Sequence, residues 1–267
     1  MDWLKADFHA HCGEDVCDIL FYTAHDLIDR YAELGFQVMT ISNHITLTFS
    51  EDWRRYAEEK GMLLIPGVEA SIDNKHVLIL NADEDANRIR TFDDLKTYKA
   101  SHDSFIVAPH PFSFASICLN DDTYKHADLF DGVEWHHFYT RGFNPNLKAK
   151  QFAAETGKTL IANSDCHDLG YLGEVYTLVK AAPTWESISS ALRRGEVEIK
   201  TQPLSTLRSL YIHHILRMGQ VRRSMRRLLP HVFYKDHPYP ITKRERHRSN
   251  LVENRTAKKT KRPLRAL

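Results

Sequence analysis

The side chains able to do chemistry in this sequence are histidines and carboxylates, and they recur at the ends of short apolar runs. His9 and His11 lie two apart in DFHAH. On an extended strand both imidazoles then face the same way, which is how two ligands reach one metal ion. His44 closes QVMTISNH, Glu69 closes MLLIPGVE, His110 follows SFIVAP, and Asp165 and His167 follow KTLIANS in the run SDCH. Ligands from strand ends so far apart in sequence meet only if those ends share one rim, as the carboxyl ends of a parallel α/β barrel do. A lone HxH pair is a satisfied surface or core pair in roughly half of cases; the acidic and histidine strand ends that accompany it favour ligation.

The elements that must position these groups follow from hydrophobic patterning. LKADFHAH, FQVMTIS, MLLIPGVEA, HVLILN, SFIVAP, DGVEW and KTLIANS read as strands. Helical patterns run from about Thr23 to Leu34, Glu51 to Lys60, Phe92 to Ser101, Asn146 to Thr156 and Trp185 to Arg194. Strand then helix implies a mainly parallel sheet, and the number of strands suits a closed or nearly closed barrel better than an open sheet. With 267 residues, 42% of them hydrophobic, the chain can bury a substantial core. No apolar run is long enough to span a membrane and the N-terminus lacks a signal-type stretch, so a cytoplasmic location is expected. The four cysteines form no CxxC pair, in keeping with reduced thiols.

Charge divides the chain. Residues 211–267 hold 16 Lys and Arg against 3 Asp and Glu, whereas the remainder is net acidic. We therefore expect a barrel domain over residues 1–205 and a basic extension over 206–267, the latter beginning as an amphipathic, Arg-rich helix and continuing as a mobile tail. Three readings of that helix stay open: a core-facing helix closing the barrel, a platform for nucleic acid, or a membrane-surface helix.

DFHAH, the SNH that ends the second strand, GVE, the His of KHVLIL, APHP and SDCH resemble, in order, the successive motifs of the PHP (polymerase and histidinol phosphatase) domain. LGEVYTLV and RRGEVEIKTQPLS are also similar to stand-alone members. The resemblance implies an α/β fold, a distorted (β/α)7 TIM-like barrel in which one strand candidate is a hairpin arm. It implies two or three divalent metal ions, Mn²⁺, Zn²⁺ or Fe²⁺, at nine ligand positions: His9, His11, Asp15, His44, Glu69, His76, His110, Asp165 and His167. Glu14 and Asp18 flank Asp15 in CGEDVCD and leave its register open. Asp7 is expected to orient a ligand histidine from behind.

The activity implied is phosphoester hydrolysis by a metal-activated hydroxide, with Glu69 bridging and with Glu69, His110 and Asp165 at the catalytic centre. Arg141 is the candidate phosphate clamp. The substrate would be a phosphorylated small molecule, a nucleotide or a short nucleic acid. The loops from Phe112 to Lys125 and from His136 to Leu147 carry the specificity. The basic extension offers a polyanion contact that adds weight to an oligonucleotide.

Two other classes compete. One is an amidohydrolase-type C–N hydrolase, which usually wants a bridging lysine where Glu69 stands. The other is a non-catalytic nucleic-acid-binding protein acting through its basic tail, against which the intact ligand set argues. His25, His102, His126, His136 and His137 fall outside the motifs and are expected at the solvated surface. Cys12 and Cys166 are expected to pack rather than react. Glu134 at the end of DGVEW either touches the site or caps a helix.

Overall fold

A computed structural model describes residues 2–205 and 207–210. The basic extension lies outside the described residues from residue 211 on. The boundary at 205 and all three readings of the Arg-rich helix are therefore left where the sequence put them.

The barrel strands are short, nearly continuous apolar runs buried along their length, as a largely parallel sheet covered by helices requires. β1 (Trp3–Asp7), β2 (Val38–Ile41), β3 (Leu63–Ile72), β4 (Lys75–Leu80), β5 (Phe105–Ala108), β6 (Gly132–His136), β7 (Thr159–Asn163), β8 (Tyr176–Lys180) and β9 (Val197–Lys200) form one sheet in the order β7-β6-β5-β4-β3-β2-β1-β8-β9. β1, β2 and β3 pair in parallel, as do β5, β6 and β7. Between these blocks β4 runs antiparallel to both neighbours. It is the hairpin arm, joined to β3 through Asp73 and Asn74, both at positive φ (47° and 63°), as a tight two-residue hairpin requires. The sheet curls until its first and seventh strands meet: Ala10 and Cys166 form a parallel bridge beyond the ends of β1 and β7, and the His11 amide donates to the Cys166 carbonyl at 3.1 Å. The result is a nearly closed, distorted TIM-like barrel.

β8 and β9 are additions that the strand–helix alternation does not reveal. β8 runs antiparallel against β1 and β9 against β8. Thr177 on β8 stitches this flap to the barrel, its hydroxyl donating to the Ala162 carbonyl and accepting from the Ala162 amide, both at 2.8 Å.

The helices fall close to their expected spans: α1 (Ala24–Glu33), α2 (Glu51–Glu59), α3 (Phe92–Ser101), α4 (Asp121–Lys125), α5 (Asn146–Thr156) and α6 (Trp185–Arg193). Thr23 with Asp26 and Thr91 with Asp94 make capping boxes that start α1 and α3. Gly157 at φ 67° ends α5. Only the single turn of α4 lacks a counterpart in the hydrophobic pattern, being too short to show one.

Every second residue of each strand faces inward, and this row changes character along the barrel axis. At one end it is apolar: Leu4, Phe8, Val38, Ile65, Leu78, Phe105, Val107 and Ile161 belong to one buried cluster. Further along these rows come Glu69 on β3, His76 on β4, Glu134 and His136 on β6, and Asp165 just beyond β7. Gly67 and Gly132 lie on this row, and a Cβ at Gly132 would meet the Phe105 ring at 2.8 Å. Glycine there lets the floor side chains fill the interior.

Candidate metal centre

Glu69 occupies the middle of the polar rim, 1% exposed. Its Oε1 lies 2.7 Å from His76 Nδ1 and 2.9 Å from His110 Nε2. Its Oε2 lies 3.0 Å from His44 Nε2, 3.5 Å from His11 Nε2 and 3.6 Å from His9 Nε2. One carboxylate thus presents its two oxygens to two separate sets of imidazoles. His76 reaches it because β4 runs backwards, which brings the first residues of β4 to the rim where β3 ends. Asp165 Oδ1 approaches His11 Nε2 at 3.3 Å and His9 Nε2 at 3.5 Å. His9 with His11 and Glu69, His11 with His44 and His167, and His44 with Glu69 and His76 form donor groups whose atoms lie within 4.8 Å of one another.

A row of supporting groups fixes the imidazoles from behind. Asp15 sits 3.1 Å from His11 Nδ1 and 2.8 Å from His44 Nδ1 through the same Oδ2, which also accepts the His44 amide at 2.8 Å. Its Oδ1 accepts the amides of Cys17 and Asp18. An ionised carboxylate only accepts, so both imidazoles donate from Nδ1 and turn Nε2 to the centre. Asp15 therefore lies behind two histidines. Asp18, which flanks it in sequence, faces the cluster with Oδ2 2.7 Å from His167 Nε2.

Glu134 does for His9 what Asp7 was expected to do. Its Oε1 accepts from His9 Nδ1 at 2.8 Å and from Asn163 Nδ2 at 2.9 Å, while Oε2 accepts the His110 amide at 2.7 Å. Asp7 touches no imidazole. It accepts from the His9 amide and from Ser164, and takes the Tyr31 hydroxyl at 2.8 Å, so it holds backbone rather than a ring. The reason is a break in alternation: the regular strand ends at Asp7, and Asp7 points outward to α1 while His9 points inward.

Two further expectations are corrected here. His136 and His137 are buried, 3% and 0% exposed, because β6 carries them to the rim and the following loop covers them. His136 Nδ1 accepts the Phe138 amide at 3.0 Å, and burial with His110 nearby pushes its pKa down to about 4. The neutral ring must carry its proton on Nε2, which donates to Ser113 Oγ at 2.7 Å. His137 stacks on Tyr171 at 4.3 Å, neither ring nitrogen has a hydrogen-bond partner among the described residues, and burial pushes it down to about 3. His25, His102 and His126 are half-buried. Cys12 and Cys166 are buried in the α1 cluster with raised thiol pKa values, burial being the main cause. Arg141 lies outside the cluster on an exposed turn.

The donor chemistry fits divalent metal ions. His9 and His11 Nε2 stand 3.2 Å apart, and both rings donate through Nδ1 to carboxylates. Two Nε2 atoms therefore converge with the oxygens of Glu69 and Asp165, a negative field that calls for positive charge, supplied by protons or by a metal ion. The proton affinities express the same field. Burial pulls His9, His44 and His110 down, yet neighbouring carboxylates, joined at His110 by the Cys118 thiol, hold all three well above the usual imidazole value. At His167 burial is likewise outweighed by Asp165 and Asp18, leaving it near 9. Glu69 and Asp165 are held well below the carboxylate range against burial, by His76, His9 and His44 in one case and by His9 and His167 in the other. Backbone strain gathers here too: Ile45 beside His44, His110 and Asp165 have positive φ of 68°, 29° and 47°.

Residues 143–197 match the family model described as PHP-associated. A two-domain protein from Bacteroides vulgatus containing a predicted PHP-like metal-dependent phosphoesterase superposes with a TM-score of 0.59 at 18% identity, over 75% of this chain and 65% of that one. The fold is that of the PHP domain. A lesion-specific endonuclease from Pyrococcus furiosus superposes on the PHP barrel with a TM-score of 0.54 at 16% identity, over 74% of this chain and 58% of the endonuclease. An amidohydrolase from Chromobacterium violaceum superposes with a TM-score of 0.53 at 13% identity, covering 74% and 93%. This chain thus spans less than two thirds of the first two proteins. No curated protein sequence matches it. No helix of the described residues is long and apolar enough to cross a membrane.

Proposed function

We propose that this PHP barrel is a metal-dependent hydrolase of phosphate esters. The observation that carries the reading is Glu69, whose two oxygens face different imidazole sets as a bridging carboxylate must. The proposed ligands are His9, His11, Glu69 and Asp165 in one position, Glu69, His76 and His110 in a second, and His44, His167 and Asp18 in a third, with Asp15 orienting His11 and His44. Divalent ions held there, two or three in number, would supply Lewis acidity for an attacking water and charge neutralisation at the phosphoryl and leaving oxygens.

The chain's own groups do the rest. Asp15 and Glu134 keep the Nδ1 protons of three imidazoles, so their Nε2 lone pairs stay aimed at the centre. Neutral His136 occupies the acceptor side of Ser113 Oγ, which leaves the serine proton free to donate toward a phosphate oxygen at the mouth. Arg141, exposed on the loop after β6, would meet a phosphate that reaches beyond the buried centre. The net charge of +13 in residues 211–267 favours a phosphate-rich substrate and makes its binding salt-dependent.

The test is hydrolysis of p-nitrophenyl phosphate, its bis ester, histidinol phosphate, mononucleotides, short RNA and an N-acyl amide. Each is assayed with Mn²⁺, with chelator, and with Glu69→Gln. Chelator-sensitive release of phosphate that depends on Glu69 is expected. Turnover of the amide alone would move the protein to the amidohydrolase class, and no turnover with no bound metal would leave only the basic extension as the functional part.

A further inference from the structure

Two loops leave the same rim as the metal centre, residues 109–120 after β5 and 137–145 after β6, and each carries an exposed phenylalanine. Phe114 is 86% exposed and Phe143 is 46% exposed, yet their rings stack on each other with centroids 5.0 Å apart and planes 17° apart. Aromatic rings left in water at a loop tip lose the burial that normally holds them, so a stacked and solvated pair is a surface with a use.

The pair is built onto the site. Ser113, one residue before Phe114, donates its amide to the His110 carbonyl at 3.2 Å and accepts from His136 Nε2 at 2.7 Å. The His76 amide donates to Ile117 O at 2.8 Å, and Lys75 Nζ donates to the carbonyls of Ser116 and Cys118. The loop tip is thus pinned to His76, His110 and His136. Phe143 sits on a turn closed by Thr140 and Phe143, whose amides each donate to the other's carbonyl at 2.8 and 3.3 Å. Arg141 occupies a corner of that turn, is exposed, and makes no ion pair among the described residues.

We propose that Phe114 and Phe143 form a stacking platform for a nucleobase whose phosphate enters the adjoining centre, with Arg141 meeting backbone or ribose-linked phosphate. The proposal rests on the phosphoesterase reading for the phosphate and adds the substrate class: a nucleobase-bearing phosphate ester. A flat π-face on loops that leave the rim, an exposed guanidinium two residues from Phe143 and a centre that would take a phosphate once it holds metal are together complementary to a base with a phosphate attached. Stacking is sequence-tolerant because every base has such a face.

The experiment uses the full chain and reads binding, so it does not depend on turnover. A 2-aminopurine mononucleotide and a single-stranded tetranucleotide containing 2-aminopurine serve as probes, with ribose 5-phosphate as the competitor that lacks a base. Quenching of 2-aminopurine fluorescence is expected on binding. Phe114→Ala should weaken the affinity by about 5- to 150-fold, Phe114→Trp should restore it, and the affinity for ribose 5-phosphate should stay unchanged in both variants. A tighter, more salt-sensitive tetranucleotide identifies a strand end as the source, and equal affinities identify a mononucleotide; either outcome supports the platform. Absence of quenching, an unaltered affinity in Phe114→Ala, or equal weakening of ribose 5-phosphate overturns it. So does a concentration-dependent dimer abolished by Phe114→Ala, since a second copy would then occupy the rings. Quenching without phosphate release would instead leave the platform standing and defeat the phosphoesterase reading.

Discussion

The floor and the rim of the barrel are made by the same inward rows and differ in nearly every physical respect. On β3 the row runs Ile65, Gly67, Glu69; on β7 it runs Ile161 and Asn163 and reaches Asp165; on β4 it runs Leu80, Leu78, His76. At about 3.3 Å per residue, two to four residues separate a dry apolar packing from a cluster of buried charge. The floor stabilises the fold by burial. The rim holds imidazoles and carboxylates at donor distances, with positive φ at three rim residues, and would be costly to bury without a cation. Stability and reactivity are thus assigned to opposite ends of one interior, and the rim is tolerated because the floor is well packed.

The largest expected effect breaks the floor alone. Phe105→Ala removes a fully buried ring and should cost about 3–5 kcal/mol in urea unfolding, while the folded variant keeps the same number of bound metal ions. A loss of metal stoichiometry would show that floor and rim are not separable. The mirror experiment breaks the rim. With free divalent ion at ~1,000 times its dissociation constant, the wild-type chain should gain about 4 kcal/mol of stability, and Glu69→Gln should lose most of that increment with its phosphate release. A Glu69→Gln protein stabilised as strongly by metal as the wild type would remove Glu69 from the centre.

Glu134→Gln sharpens the comparison by testing support rather than ligation. An amide in place of the carboxylate turns a donor against the His9 and Asn163 donors or against the His110 amide; metal affinity should fall about 10- to 100-fold, read by competition with a chromophoric chelator, while the metal-free chain loses about 1–3 kcal/mol in unfolding. Acidity gives the rim a second signature. His9, His44 and His110 are held above the usual imidazole value and His167 near 9, so binding metal at pH 7 must displace protons. Calorimetry in buffers of different ionisation heat should show proton release, and affinity should fall as the pH falls. Constant affinity between pH 8 and 6 would contradict the field described for this cluster.

The smallest effect concerns His137, buried beside the rim with no hydrogen-bond partner among the described residues. Its folded value near 3 lies below the unfolded value of about 6.5. Between those limits the unfolded chain holds a proton that the folded chain lacks. The stability present above pH 6.5 is therefore lost progressively as the pH falls. His137→Phe should flatten the stability–pH curve below pH 6 by up to about 1.4 kcal/mol per pH unit. An unchanged slope in urea titrations at pH 6 and 5 would show that the ring is not buried neutral.

Much of this architecture is legible in the chain itself. The helices α3 and α5 begin and end where the pattern of Phe92 to Ser101 and Asn146 to Thr156 puts them. Strand-end histidines and acids point to a shared rim before any coordinate does, because a parallel barrel has only one place for them. β8 and β9 were harder to see, since antiparallel strands outside the strand–helix rhythm lack the cue by which the others are recognised. Asp15 and Asp18 illustrate a second limit: both are acids in one loop, and loop residues carry no periodicity to say which faces inward.

Residue order alone assigns the chemical groups to strand ends, because an extended strand carries its side chains to fixed positions along the sheet. Tertiary structure alone decided which carboxylate stands behind which imidazole, that His136 and His137 are buried, and that Phe114 and Phe143 meet across two loops. Those relations are distances between residues joined by irregular backbone. They depend on how the barrel closes and on the hydrogen bonds that pin each loop, and neither is written in local spacing.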